Sequence, residues 1–243
     1  MHVKKVTAVC LSIALLSIGV YTVATYIRDK NKQEVSVEML DSGDMFASDD
    51  ANVGELYDKK IVEDMINNYN KVAPLNSDII GWIRIPNTNI NYPILSGNNN
   101  YYLNRTYDRR PSKSGSIFLD ENQLSYDLIS LIHGHNMLNG TMFSDLRKFG
   151  KQEFADKNNV LIYDGEEVRV FQPISFLRVK ESATFKYNIK DREELKRYAN
   201  ELAQGSLIVR RKEITDDDVV ILNTCVSDGS NDHNILIAQE IFE

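Results

Sequence analysis

Short apolar runs, each bounded by turn-forming residues, dominate the chain after residue 78. Most are rich in Val, Ile, Tyr and Phe and are about four to eight residues long, which is typical of strands. Asp164-Gly165 separates two runs and predicts a tight hairpin turn, and Pro93 inside another run marks an edge strand or a bulge. The predicted strands are 79–85, 90–95, 116–119, 128–133, 160–163, 168–171 (continued or followed by 174–179), 219–225 and 235–242.

Helical periodicity is confined to a few segments around these strands. From Val53 to Asn70, apolar residues recur at near-helical spacing and predict one amphipathic helix before the first strand. Residues 191–202 predict a charged helix with an aspartate at its start, and short helices are expected at 141–149 and 152–157. About eight strands with few helices predict a mainly β fold: a closed β-barrel with an N-terminal helix and helical insertions.

The N-terminal segment has a different pattern. Residues 6–27 contain no charged side chain, and a helix of this length spans about 33 Å, enough to cross a bilayer core. A cleaved signal peptide is the alternative, but its apolar region usually has about 7–15 residues and precedes a small-residue cleavage site. We therefore predict a cytoplasmic N-terminus at 1–5, a transmembrane helix at 6–27, a stalk at 28–54 and a folded catalytic domain at 55–243.

The orientation of this predicted helix does not follow from charge alone, because basic residues flank both of its ends. A single N-terminal anchor ahead of a folded domain usually leaves its short N-terminus in the cytoplasm. We therefore expect a single-pass protein of the cell membrane whose catalytic domain is extracellular.

Net charge limits the kinds of partner. All 35 acidic residues follow residue 27, together with all but two of the 28 basic residues, which leaves that part of the chain at −9. Nucleic-acid binding needs a basic face that neutralises phosphates. No nucleic-acid partner is therefore predicted.

Candidate chemistry centres on one thiol. Of two cysteines, Cys10 lies in the apolar stretch and Cys225 ends a predicted strand, so the domain has no disulfide available. An unpaired thiol on an outward-facing protein most simply serves chemistry, and a buried inert cysteine is the alternative. A second predicted strand ends at His133-Gly134-His135. An imidazole can take the thiol proton, after which the sulfur can attack a carbonyl and form a thioester.

Two other interpretations of these residues are weaker. The histidines precede the cysteine along the chain, which is the reverse of the papain-like order. His133 and His135 have no cysteine or carboxylate nearby at metal-ligand spacing, so no metal site is predicted, and no cofactor is expected. Strand alternation, taken together with the family pattern described below, favours a structural role for His133 and leaves His135 as the reactive histidine.

Four segments carry a family resemblance. Together, in this order and behind an N-terminal anchor, they resemble the class B sortases across about residues 78–242. The histidine segment matches the family's histidine motif, and the strand that ends at Cys225 matches its nucleophile strand. The segments are Ile132-His133-Gly134-His135-Asn136-Met137 with Thr141-Met142-Phe143 and Leu146, Leu222-Asn223-Thr224-Cys225, Asn87 to Ile94, and Gly115 to Asp120.

The resemblance implies an eight-stranded sortase barrel and cysteine transpeptidation at a Gram-positive cell surface. The enzyme would cleave a C-terminal sorting motif, hold the surface protein as a thioacyl intermediate and pass it to an amine of peptidoglycan or its precursor. Cys225 would be the nucleophile and His135 the acid/base. Asn91, Leu95 and Asn223 fall where the sorting peptide is bound; Asn223 lies two residues before the nucleophile and faces the same side by alternation.

One departure from the family pattern affects the expected rate. Sortases carry an arginine at the start of the last strand, but no arginine or lysine follows Cys225 here, and His233 or Asn234 occupies that place. A charged donor is worth about 1.5–3 kcal/mol against about 1 for a neutral donor, so turnover would be about ten- to a hundredfold slower. Arg210 and Arg211 in the preceding loop are the other candidates.

Two further function classes remain open at this point. One is a sortase homologue that binds sorting peptides with weak or no turnover, which the missing arginine supports. The other is a cysteine peptidase that releases the peptide to water. An added amine separates them, because only a transpeptidase forms an aminolysis product.

Overall fold

The computed structural model describes residues 59–123, 126–186, 188–208, 213–226 and 230–241. The chain divides into two compact units, Met1–Ser42 and Gly43–Glu243, and every described residue belongs to the second. The predicted N-terminus, anchor and stalk lie outside the described residues. Within the described ranges, no helix combines the length and the apolar character that a membrane span needs.

Eight strands close into one barrel, as the pattern of apolar runs predicts. Their order around the barrel is β1-β2-β3-β4-β7-β8-β6-β5. The β2–β3 and β4–β7 pairs are parallel, and the other described strand pairs are antiparallel. The strands are β1 Ile79–Arg84, β2 Asn91–Leu95, β3 Ile117–Leu119, β4 Ile129–His133, β5 Val160–Tyr163, β6 Val168–Lys180, β7 Val219–Cys225 and β8 Asp232–Glu240.

Helices occupy the ends and the connections of the barrel. The amphipathic helix α1 precedes β1 and buries Met65. Asp191 caps α4 by accepting a hydrogen bond from the Glu194 backbone N–H, which fixes the start of that helix. The helices are α1 Lys59–Val72, α2 Asn99–Tyr102, α3 Gln152–Ala155 and α4 Arg192–Leu202, with 3-10 turns at Ala73–Leu75 and Ser144–Gly150.

Both faces of the sheet formed by β4, β7 and β8 are apolar for most of its length. Successive residues of a strand point to opposite faces. Ile132, Leu222 and Leu236 belong to the cluster that fills the barrel interior. The alternate residues, such as Ile221 on β7, belong to a second cluster on the outer face, where Leu195 of α4 packs. One sheet therefore carries a core on each side.

Sequence and structure differ mainly in strand length. β6 is one strand that reaches Lys180, and its register shifts after Pro173. The same extension pairs Lys180 with Asp232, so β8 begins three residues before the predicted position at 235.

The short helix α2 was not expected from periodicity; Asn98 caps it by accepting a hydrogen bond from the Tyr101 N–H. Pro93 lies in the part of β2 that β3 does not pair, as an edge position requires.

Truncation of an interior leucine should destabilise the barrel strongly. Leu236 is fully buried, so Leu236→Ala should lower the free energy of unfolding by about 2–5 kcal/mol, through lost burial and a residual cavity. The matched control is Leu138→Ala, because Leu138 is 91% exposed and its truncation should cost less than about 0.5 kcal/mol. Urea denaturation, followed by fluorescence of the buried Trp82, measures both. Equal losses would contradict the interior position of Leu236.

Candidate active site

The ends of β4, β7 and β8 bring four polar side chains together on the outer face of the barrel. His133 pairs with Asn223 across β4 and β7, and Cys225 pairs with His233 across β7 and β8. By strand alternation, all four side chains point to the same outer face of the sheet as Ile221. The apolar stripe under α4 therefore continues, at the end of the sheet, as a polar cluster that contains the thiol.

His233 lies beside the thiol. Its Nε2 is 3.9 Å from Sγ of Cys225, a long sulfur–nitrogen contact. Asn234, the other residue expected to replace the family arginine, points to the opposite face of β8, where it pairs with the buried Thr224. Of the two residues that could replace the family arginine, alternation therefore leaves His233, and not Asn234, beside the thiol.

A chain of hydrogen bonds leads from His233 to a buried carboxylate. Nδ1 of His233 is 2.8 Å from Oδ1 of Asn223, and Nδ2 of Asn223 is 3.1 Å from Nδ1 of His133. Nε2 of His133 is 2.8 Å from Oδ2 of Asp120, and its ring also packs beside Phe118, with centroids 5.4 Å apart. Both heteroatoms of the Asn223 amide are therefore engaged between two histidines.

The Asp120 carboxylate is held in its charged form. Burial by itself would raise the pKa of Asp120, but its hydrogen bonds, first among them the one to His133, hold that pKa well below its usual range. Asn122 and Asn99 also donate to this carboxylate. A fixed negative charge therefore terminates the chain of hydrogen bonds.

The thiol and its neighbouring imidazole are both biased toward their uncharged forms. Desolvation of the thiol, and then the negative charge of Glu181, raises the pKa of Cys225. Desolvation also lowers the pKa of His233, although Glu181 and Asp232 act in the opposite direction. Near neutral pH the pair is therefore mainly a thiol beside a neutral imidazole.

His135 lies in the loop that follows β4 and faces a different partner. Its Nε2 is 2.8 Å from the Leu103 carbonyl oxygen. Within the part of the chain that the structure describes, His135 makes no hydrogen bond to the thiol. Phe143 N–H donates to the His135 carbonyl at 2.9 Å, which closes the loop back on itself. The predicted acid/base and the predicted nucleophile are thus in neighbouring segments but not in direct contact.

The same loop is joined to the nucleophile strand. Nδ2 of Asn136 donates to the Cys225 carbonyl at 2.8 Å, and the Gly134 N–H donates to the Asn223 carbonyl at 3.1 Å. A Cβ at Gly134 would come within 2.7 Å of the Phe143 ring, so glycine is required for this close approach. These contacts fix the position of the histidine loop relative to Cys225.

The predicted peptide-binding residues have other partners in this structure. Oδ1 of Asn91 accepts a hydrogen bond from Nε1 of Trp82 at 2.7 Å. Leu95 is fully buried, so its side chain offers no surface to a peptide in this conformation. Asn223 is 9% exposed and lies behind His233. Arg210 and Arg211 lie outside the described residues.

Sequence reasoning missed Asp120 and underrated His133. Strand alternation could have indicated His133, because it places His133 on the outer face with Asn223 and Cys225. Asp120 could have been found from its position immediately after β3, the neighbour of β4. No group of three or more metal-ligating side chains occurs among the residues that the structure describes.

Comparisons with known proteins identify the family. The family model of the Sortase domain matches residues 83–241. Sortase B of Staphylococcus aureus is 25% identical over 90% of this chain and 88% of its own length. Sortase B of Listeria monocytogenes is 30% identical over 68% of this chain and 70% of its own length.

Solved structures show the same fold. Sortase B of Clostridium perfringens superposes with a TM-score of 0.65 at 29% identity, over 71% of this chain and 99% of that one. A sortase B complexed with triglycine superposes with a TM-score of 0.70 at 22% identity, over 88% of this chain and 98% of that one. By its domain match and its relatives, the chain belongs to the sortase family, in class B.

Proposed function

We propose that this cysteine transpeptidase of the sortase family cleaves a C-terminal sorting motif and transfers the surface protein to a cell-wall amine. The observation that carries the proposal is the position of Cys225. It ends β7 as an exposed residue, with His233 beside its sulfur and the histidine loop bonded to its carbonyl. A thiol with an adjacent imidazole is the arrangement that thioester chemistry needs.

The proposed roles divide the reaction between a nucleophile and a proton carrier. Cys225 attacks the motif carbonyl and forms a thioacyl intermediate. His135 serves as acid/base for the amine that departs and for the amine that arrives. The hydrogen bond to the Leu103 carbonyl supports this role, because it holds the ring in one orientation and, among the described residues, leaves Nδ1 available.

The acceptor is proposed to be a primary amine of peptidoglycan or its precursor. A sortase B that superposes on this chain was solved with triglycine, a peptide that carries a free amino group. The net charge of −9 after residue 27 is compatible with a cationic acceptor. The sorting peptide is proposed to bind near Asn91 and Asn223, with rearrangement around the buried Leu95.

His233 is proposed to stand in place of the family arginine. It carries positive charge only when protonated, and its lowered pKa disfavours that state before substrate arrives. Turnover should therefore be slower than with a permanent cation. The same observation supports a second candidate, a sortase homologue that binds sorting peptides with little or no turnover.

The cellular location is proposed from the sequence. Residues 6–27 have the length and the apolar character of a single membrane helix. We propose that they anchor the enzyme in the membrane of a Gram-positive cell, with the catalytic domain outside, where surface proteins and cell-wall amines meet.

A thioacyl adduct on Cys225 is the expected sign of sortase chemistry. Incubation with a library of sorting-motif peptides should add an acyl mass to the enzyme, and peptide mapping by mass spectrometry should place it on Cys225. Cys225→Ala should remove the adduct completely, because no other described thiol is present. Thr224→Ser is the matched control and should retain it. The absence of an adduct with every peptide would exclude the transpeptidase.

An added amine should distinguish the three function classes. With triglycine present, a transpeptidase forms an amide product, a peptidase forms only the free acid, and a binder forms neither. We expect the amide, at a rate that rises with amine concentration. Free acid alone, at every amine concentration, would exclude transpeptidation and favour the peptidase.

Restoring the arginine should make the thiol more reactive. His233→Arg places a permanent cation beside Sγ, which favours the thiolate and lowers the pKa of Cys225. One unit of lowering raises the thiolate fraction near neutral pH about tenfold, and iodoacetamide alkylation measures it. Asn234→Arg is the matched control, with the same charge on the opposite face. Equal acceleration by both variants would show that general charge, rather than position 233, controls the thiol.

A further inference from the structure

The hydrogen bonds behind the thiol have one consistent direction. The Asn223 side-chain carbonyl oxygen can only accept, so Nδ1 of His233 carries the hydrogen of that bond. The Asn223 amide nitrogen can only donate, so Nδ1 of His133 accepts. Nε2 of His133 must then carry a hydrogen, and it donates to the Asp120 carboxylate. In this series of hydrogen bonds, from His233 to Asp120, every donor therefore meets an acceptor.

This direction fixes the tautomer of His233. With its hydrogen on Nδ1, the neutral ring presents the Nε2 lone pair to Cys225, 3.9 Å from the sulfur. A neutral imidazole in the other tautomer would present an N–H there and could not accept a proton. The network thus prepares His233 as a base toward the thiol.

We propose that His233 takes the proton of the Cys225 thiol and holds it during the thioacyl stage. Asn223, His133 and Asp120 are proposed as positioning residues that fix its tautomer and stabilise its charged form. This inference rests on the proposed function, because it assigns the proton of the proposed nucleophile. It makes His233 more than a weak replacement for arginine: the cation arises only when the thiolate arises.

His135 is left with a separate proton. Nε2 of His135 faces the Leu103 carbonyl at 2.8 Å, so that nitrogen carries a hydrogen and donates it. In the imidazolium form, the Nδ1 hydrogen remains available to a leaving amine. The two histidines therefore serve different atoms, one the sulfur and the other the nitrogen.

Protons and electrons balance in both half-reactions. In acylation the S–H bond breaks, its proton forms the Nε2–H bond of His233, and its electron pair forms the C–S bond. The C–N bond then breaks as His135, which enters as the imidazolium, gives its Nδ1 proton to the leaving nitrogen. In deacylation the arriving amine forms the new C–N bond and gives a proton to His135. The departing sulfur takes its proton back from His233.

Two negative charges near His233 act against the desolvation that lowers its pKa. Asp232 precedes it on β8 and Glu181 follows β6; both negative charges act to raise its pKa. Cys225 on β7 supplies the counter-charge once it ionises. His133 on β4 opposes the cation if it is itself protonated, but Asp120 carries the compensating charge. The surroundings therefore favour the imidazolium while the thiolate lies beside it, and the negative charges of Glu181, Asp232 and Asp120 remain once the sulfur is acylated.

Alkylation of Cys225 by iodoacetamide in the full-length protein tests the assignment without any peptide. The readout is the alkylation rate near neutral pH divided by the rate above the thiol pKa, where no base is needed. His233→Gln should lower this ratio at least about tenfold, because an amide cannot take the proton. Asp120→Asn should lower it about three- to tenfold, as expected for a charge that acts through two other residues.

Matched variants distinguish a loss of positioning from a general loss of folding. Glu121→Gln makes the same carboxylate-to-amide change one residue away, in a side chain bonded only to Asn98 and Asn99 among the described residues, and should leave the ratio unchanged. If Asp120→Asn fails to fold, His133 supplies the second test. His133→Gln keeps one donor and one acceptor and should retain the ratio, whereas His133→Leu should lower it.

Two outcomes would overturn the inference. If His135→Gln lowers the ratio and His233→Gln does not, His135 takes the thiol proton. If His133→Leu and Asp120→Asn both leave the ratio unchanged in folded protein, these residues are not positioning residues. Failure of the proposed function is distinguishable, because a wild-type enzyme without a thioacyl adduct still yields an interpretable alkylation ratio.

Discussion

Side-chain alternation across β4, β7 and β8 is the constraint on which the site depends. The same period that places Ile221 under α4 places Asn223 and Cys225 on the outer face two and four residues later. A shift of one residue in the pairing of β7 with β8 would turn His233 away from the thiol and present Asn234 instead. Because both faces of this sheet carry an apolar cluster, such a shift would also move apolar residues out of their cores. Burial of the barrel therefore specifies the register, and the register assembles the site.

Electrostatics at the site differ from those expected with a permanent cation. An arginine next to the sulfur would favour the thiolate at all times. In this chain, desolvation favours the neutral thiol and the neutral imidazole, so the two charges arise together and cancel. The fixed charge at this site is instead negative: the buried carboxylate of Asp120 acts through His133 and Asn223 to favour the His233 imidazolium when it forms. With a permanent cation the thiol would be reactive at all times, whereas in this chain Cys225 ionises only when His233 takes its proton.

The sequence predicted the barrel well because its strands have strong apolar periodicity, and it predicted the thiol because Cys225 has no competitor in the domain. The length of β6 and the early start of β8 could not be predicted, since they depend on pairing between segments more than 50 residues apart. The role of Asp120 was also beyond the sequence. It follows a three-residue strand, and only the β3–β4 pairing brings it to His133. Which of His233 and Asn234 faces the thiol could not be predicted either, because it depends on the register between β7 and β8.

Nitrogen NMR of the imidazole rings in isotope-labelled protein will show whether the network fixes the tautomers of two histidines. Spectra recorded near neutral pH, assigned with His133→Gln and His233→Gln, report which ring nitrogens carry hydrogen. We expect a neutral His233 protonated at Nδ1, beside a His133 protonated at Nε2. A His233 protonated at Nε2, or present as the imidazolium while Cys225 remains a thiol, would contradict it.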